Sequence, residues 1–234
     1  MMPQSSMHQN IENWHISVPG QYSCQRDAFN NLWITATQRH EYRYLTIMAQ
    51  GVIDLYATEL GYVDIDVSPM LFLQRTAITS CDLTMFDFAQ AVVKVKDRKH
   101  LVRLSEKILQ QVQYQSESTS VTTSAIDAFY AGQGVCQDHA HILIAMCRAL
   151  QLPARYVSGY IYDENQPHLA SHAWAEVFVE NEWYCFDVSN QIFTPKNHIY
   201  VAVGRDYLDV APIRGIREQG GVESMMSVVQ VLAC

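Results

Sequence analysis

Gly132-Gln133-Gly134-Val135-Cys136-Gln137-Asp138-His139-Ala140-His141 runs directly into Ile142-Leu143-Ile144-Ala145-Met146-Cys147, and Pro153 follows shortly after. The glycines relax the backbone, and the run behind them is apolar on most sides, which predicts a helix buried at the centre of a domain. Pro153 forbids its continuation. Cys136 therefore stands where a glycine loop turns into a central helix. Unpaired amides at a helix start carry partial positive charge and favour negative charge there, and thiolate is the form of cysteine that attacks a carbonyl carbon. The glycines are expected to clear space for a substrate backbone.

The chain on either side supplies layers to bury this helix. Ser124-Ala125-Ile126-Asp127 has the S-x-x-D spacing that satisfies free amides at a helix start, predicting a short helix to Tyr130. Earlier helices are expected over Met85 to Val93 and Arg98 to Tyr114; in the second, Leu101, Leu104, Ile108 and Val112 share one face and read as packing. Downstream, Arg155 to Tyr162, Ala173 to Val179, Glu182 to Val188, Ile199 to Val203 and Met226 to Leu232 read as strands. From Trp14 to Leu73 the chain is rich in β-branched and aromatic residues, as in Leu32-Trp33-Ile34-Thr35, Tyr44-Leu45-Thr46-Ile47 and Val63-Asp64-Ile65-Asp66-Val67. These segments predict a small β module over residues 1–78 and an α+β catalytic domain over residues 79–234.

A thiol nucleophile needs a base for its proton and later an acid for the leaving amine, and histidine serves both near neutral pH. Ser171-His172-Ala173-Trp174 places one at a strand start, and Phe186-Asp187 places a carboxylate on the next strand, where it can fix the imidazole tautomer. If Glu180-Asn181 forms a two-residue hairpin loop, Val179 faces Glu182 and Trp174 faces Asp187. His172 then lies diagonally across from Asp187 on the same side, about 7–8 Å away. A three-residue loop would send the two to opposite faces.

Composition narrows the alternatives. A formal charge of -8 and a pI near 5.5 leave no basic surface for nucleic acid. The polar start, MMPQSSMHQN, gives no export pattern, and no apolar run approaches the ~18 residues that cross a bilayer, so no membrane partner and a cytoplasmic location are expected. The six cysteines contain no C-x-x-C pair, which disfavours disulfides and zinc knuckles. His139 and His141, two apart on a helix, point in different directions, so neither a metal site nor a cofactor is expected there. Arg205, Asp206, Tyr207, Asp209 and Arg214 form a polar cluster that reads as an ion-pair network at least as readily as a substrate contact.

At Gly134 to His141, Pro153 to Tyr160, His172 to Val177, Trp183 to Asp187 and Val201 to Tyr207 the chain resembles bacterial transglutaminase-like cysteine enzymes, with the likeness running on through Asp209-Val210-Ala211-Pro212. The resemblance implies a papain/transglutaminase-like core, with a nucleophile-bearing helix packed on an antiparallel sheet, and places the catalytic trio on Cys136, His172 and Asp187. Trp14-His15-Ile16 and Asp27-Ala28-Phe29-Asn30-Asn31 resemble the β module that precedes this core, here shortened. The chain departs from the family at Asn30 and Gln151, where glycine is usual, and at Val188-Ser189-Asn190, where proline and threonine are favoured. Gly134, Trp174, Tyr156 and Tyr207 are candidates for the acyl cleft, although Trp174 and Tyr156, aromatic residues on central strands, read more readily as core, and the Cys136 amide is a geometric candidate for an oxyanion donor. The expected chemistry is acyl transfer from a peptide or amide through a Cys136 thioester, with water as the usual acceptor. Transglutamination to an amine and a catalytically idle binding module are the alternatives.

Overall fold

In the computed structural model, which describes residues 1–58, 60, 67–164, 171–218, 220–222 and 224–233, the chain opens with four strands. They are β1 (Gln9–Ser17), β2 (Gln21–Arg26), β3 (Leu32–Thr37) and β4 (Met48–Leu55), paired as two antiparallel ribbons, β1 with β4 and β2 with β3. The strand expected at Tyr44 to Ile47 does not form. Met48 already faces Ser17, the last residue of β1, so the four residues before it have run past their partner. Of the strand expected at Val63 to Val67, residues 63–66 lie outside the described residues and Val67 sits in a bend. Two short 3-10 turns, Pro69–Leu73 and Ala77–Thr79, lead onward.

The helices begin where aspartate and serine cap them. Asp82 accepts from the Met85 amide at 2.9 Å and starts α1 (Leu83–Val92), and Asp97 accepts from the His100 amide at 2.8 Å and starts α2 (Arg98–Gln111). The helix expected to reach Tyr114 stops at Gln111. Gln113–Tyr114 instead form β5, which pairs in parallel with β6 (Gln133–Gly134) across the intervening α3 (Ala125–Ala131), itself capped by Ser124.

Then come α4 (Cys136–Ala149) and four strands, β7 (Ala154–Ile161), β8 (His172–Val179), β9 (Glu182–Phe186) and β10 (His198–Gly204), followed by the short α5 (Tyr207–Val210). All pairings in this sheet are antiparallel, in the order β10-β7-β8-β9. Residues 142–147 of α4 are buried against one face of the sheet, where Ala173 and Ala175 of β8 let the helix approach closely. Val157, Trp174, Cys185, Tyr200 and Val203 form a second core on the opposite face, with Phe29 of the N-terminal region packed on it. The result is α+β, with the sheet covered on both faces.

Side-chain amides dock the N-terminal region on the outer edge of β10. Asn31 Nδ2 donates to Val203 O at 2.7 Å while the Val203 amide donates to Asn31 Oδ1 at 2.8 Å; Gln9 repeats the arrangement on Tyr200 at 2.9 and 2.8 Å. Each carboxamide supplies one donor and one acceptor, as a neighbouring strand would, and so satisfies an edge that would otherwise invite another chain.

Under that second core lies a buried ion pair. Arg155 reaches Glu176 at 2.7 Å across β7 and β8, Tyr200 donates to the same carboxylate at 2.7 Å, and the guanidinium sits 4.1 Å over the Trp183 ring. Arg155→Met leaves Glu176 charged in an apolar layer, and its expected cost is about 3–5 kcal/mol. Urea unfolding measures this, and an unchanged midpoint would show that the pair is dispensable.

The strand expected at Met226 to Leu232 is absent: the segment pairs with nothing among the described residues, and Met226 and Val228 are 90% and 81% exposed. Alternating apolar residues make a strand only beside an edge that accepts them. Among the described residues no helix is long and apolar enough to cross a membrane.

Candidate active site

Cys136 is the first residue of α4, half-buried at the helix start. The turn that delivers it is held by Asp138, whose Oδ2 accepts from the Val135 amide at 2.8 Å and from the Thr119 hydroxyl at 2.6 Å. A Cβ on Gly134 would lie 2.8 Å from the Asp138 Cβ. The room that Gly134 leaves is therefore taken by Asp138, which corrects the expectation that it admits substrate. Tyr114 stands opposite Gly134 in the parallel pair and is 54% exposed, at the rim beside Cys136.

His172 begins β8, and Asp187 follows the last residue of β9. Their strands are joined by Glu180 and Asn181, both with positive φ (54° and 67°), the two-residue turn whose twist suits a hairpin. Val179 faces Glu182 and the register runs unbroken to Ala175 and Phe186, the parity on which the pairing depends. His172 Nε2 lies 2.8 Å from Asp187 Oδ2, which leaves the other ring nitrogen for Cys136, whose thiol lies close enough to bear on the charge of the ring.

The charges follow from these contacts. Burial opposes a charged His172, but the hydrogen bonds and charges of Asp187 and Cys136 outweigh it and push the imidazole up to about 10. Burial likewise opposes a charged Asp187, yet hydrogen bonds from His172 and His198 hold its carboxyl well below the usual range. Asn190 adds its backbone amide to Oδ1 at 3.2 Å and its side-chain amide to Oδ2 at 2.8 Å.

The other assigned residues fall differently. Trp174 is fully buried in the second core, its ring stacked 5.9 Å from His172, so it backs the imidazole and faces no cleft. Tyr156, on β7, is 2% exposed and packs against His141 of α4; burial first, and then Cys136, pushes its hydroxyl well above the ordinary value. Tyr207 is half-buried, its ring 6.4 Å from Tyr156, and its amide donates to His141 at 3.2 Å. In the polar cluster, Arg205 pairs with Asp209 at 2.8 Å.

The histidines of α4 are structural. Buried His139 accepts from Ser189 at 2.8 Å and donates to Val112 O at 2.9 Å, and burial pushes His141 down to about 3, so it is neutral. Sequence reasoning passed over His198, which lies 3.2 Å from the oxygen that holds His172. A signal was available: β8 and β10 both run antiparallel to β7, so histidines beginning these two strands meet at one end of the sheet. His172, Asp187 and His198 bring ligand atoms within 4.8 Å of one another, a donor set a divalent transition metal can take. Separations of 2.8 and 3.2 Å are also those of proton-bridged pairs.

Residues 87–188 match the family model of the transglutaminase-like superfamily. An uncharacterized protein of Mycobacterium leprae is 32% identical over 166 residues, which cover 68% of this chain but only 59% of that relative. A second, from Mycobacterium tuberculosis, is 28% identical over 97% of this chain and 83% of its own length. Among solved structures, a candidate cysteine protease of Cytophaga hutchinsonii superposes with a TM-score of 0.70 and 25% identity, over 90% of this chain and 76% of that one. The helix that presents Cys136 and the hairpin that joins His172 to Asp187 both lie inside the matched segment, so the site falls in the part of the chain, residues 87–188, that carries the transglutaminase-like domain match.

Proposed function

We propose that the protein is a cysteine peptidase or amidase that cleaves amide bonds through a thioester on Cys136. The observation that carries this reading is the single imidazole of His172, held at 2.8 Å by Asp187 and close enough to Cys136 for the thiol to raise its pKa. His172 takes the thiol proton, the sulfur adds to the amide carbonyl, and the imidazolium returns the proton to the leaving amine. Water then enters against the thioester with His172 as base. Asp187 keeps the hydrogen on Nε2 and steadies the cation. The name of the Cytophaga hutchinsonii structure accords with this assignment.

Water is the favoured acceptor because the rim is open. Tyr114, close enough to Cys136 to feel its charge, is 54% exposed, and a site that admits water does not protect a thioester for an amine. Cys24, Cys81, Cys136, Cys147 and Cys185 are all unpaired, which suits a reducing cytoplasm. A glutamine-containing peptide offered with a fluorescent primary amine tests the acceptor: because ammonia leaves in either case, the products are compared, and glutamate formed by hydrolysis should exceed amine incorporated. Incorporation in excess of hydrolysis would make the enzyme a transglutaminase.

A further inference from the structure

Asp187 is held by more than its histidine. The Oδ2 that receives His172 at 2.8 Å also receives His198 Nε2 at 3.2 Å, so two imidazoles converge on one oxygen. The other side-chain donor to that oxygen, Asn190, is exposed on the loop that Asp187 itself begins. His198 is completely buried and belongs to β10, two strands away from β8.

His198 is itself fixed on several sides. The Trp174 ring meets it edge-on at 4.7 Å and is also stacked on His172, so one indole spaces both imidazoles. The tip of that indole sits over Gly159 of β7, where a Cβ would come within 2.8 Å of it. The carbonyl of His198 accepts from His8 Nε2 at 2.8 Å, which ties the N-terminal region to the same point.

We propose that His198 is a positioning residue, whose Nε2–H anchors the Asp187 carboxylate to β10 so that the carboxylate holds His172 in line with Cys136. The proposal rests on the reading of Cys136 and His172 as nucleophile and base. With that donor gone, the remaining side-chain support of Oδ2 besides His172 comes from a solvent-exposed amide, and the carboxylate is free to turn toward water.

Two variants separate donor from filler. His198→Phe keeps the ring and removes the hydrogen-bond donor, whereas His198→Gln brings an amide N–H to nearly the position of Nε2. Two readouts are taken on protein shown to be folded by near-ultraviolet circular dichroism: alkylation of Cys136 by iodoacetamide, and the downfield proton resonance of the His172 ring. His198→Phe should slow alkylation about tenfold, the low end of what loss of an orienting partner costs, and should shift or broaden the His172 resonance. His198→Gln should restore both, the rate to within about threefold of the natural protein.

Wild-type values in His198→Phe would overturn the proposal, as would equal losses in both variants, which would make His198 packing alone. Should His198→Phe not fold, His198→Asn, polar but too short to reach Oδ2, takes its place under the same expectations. If Cys136 shows no preferential alkylation even in the natural protein while the His172 resonance responds as described, the nucleophile reading fails and the positioning of His172 by His198 stands. Selective alkylation of Cys136 that is indifferent to His198→Phe overturns the positioning role and leaves the nucleophile reading in place.

Discussion

His172→Ala is expected to lower turnover on the order of 10^6-fold and to remove the preference of a fluorescent iodoacetamide for Cys136. Access alone gives no such preference, since Cys24 is exposed while Cys136 is half-buried. Cys147 and Cys185 are buried, and burial first, then Asp82, pushes the Cys81 thiol up to about 11. Cys24 is thus the internal standard. In the natural protein Cys136 should react ahead of it, because the neighbouring imidazole of His172 takes the thiol proton. In the alanine variant the order should reverse, with exposure deciding. Equal labelling of Cys24 and Cys136 in the natural protein, or an unchanged Cys136 rate in the variant, would favour an idle binding module.

Much of this site was legible because it depends on local rules. The helix of Cys136 announces itself through a glycine turn, an apolar run and a proline, and it ends at Ala149, four residues before Pro153. The pairing of His172 with Asp187 follows from counting residues across a two-residue loop, because parity in a hairpin is rigid. Asn30 and Gln151 replace glycines of the resembled family, and both have positive φ (64° and 61°). Glycine is therefore preferred there for backbone reasons; Asn30 tolerates the conformation and accepts from Arg26 at 2.9 Å. Val188-Ser189-Asn190, the other departure, turned out to supply partners, Ser189 to His139 and Asn190 to Asp187.

What escaped the sequence was set by tertiary contact. Gln113-Tyr114 reads as the end of a helix, and it becomes a strand only because β6 lies beside it. Gly134 reads as space for substrate until Asp138 is seen folded into it. His198 carries no motif and lies eleven residues past Asp187, yet the strand order β10-β7-β8 brings it to the same oxygen. Arg148 is another case: buried within α4, it donates to Phe72 O, Thr79 Oγ1, Ala154 O and Arg205 O, joining four segments that no spacing rule connects.

Asp187→Asn should lower turnover about 10^4-fold while leaving the fold intact. The amide keeps the shape of the carboxylate but has one oxygen where two are used. Oδ1 accepts from the Asn190 amide, and Oδ2 from His172, His198 and the Asn190 side chain. With its NH2 toward His172, the variant faces donor with donor and drives the ring hydrogen to the nitrogen that must receive the thiol proton. With its oxygen there, the NH2 opposes the Asn190 amide, and the charge that steadied the imidazolium is gone in either orientation. Stability should report the same loss. His172 lies above the free imidazole value of 6.5, at about 10, so its contribution is full below about pH 6.5 and fades as the pH rises through 10. Asp187 lies below its free value of 3.8, so its contribution is present above that pH and fades as acid is added. Both flanks describe one shared interaction, and both should flatten together in urea midpoints of Asp187→Asn measured from about pH 3 to about pH 10. A variant that keeps turnover within tenfold and retains the natural slopes would show that another group holds the charge of His172.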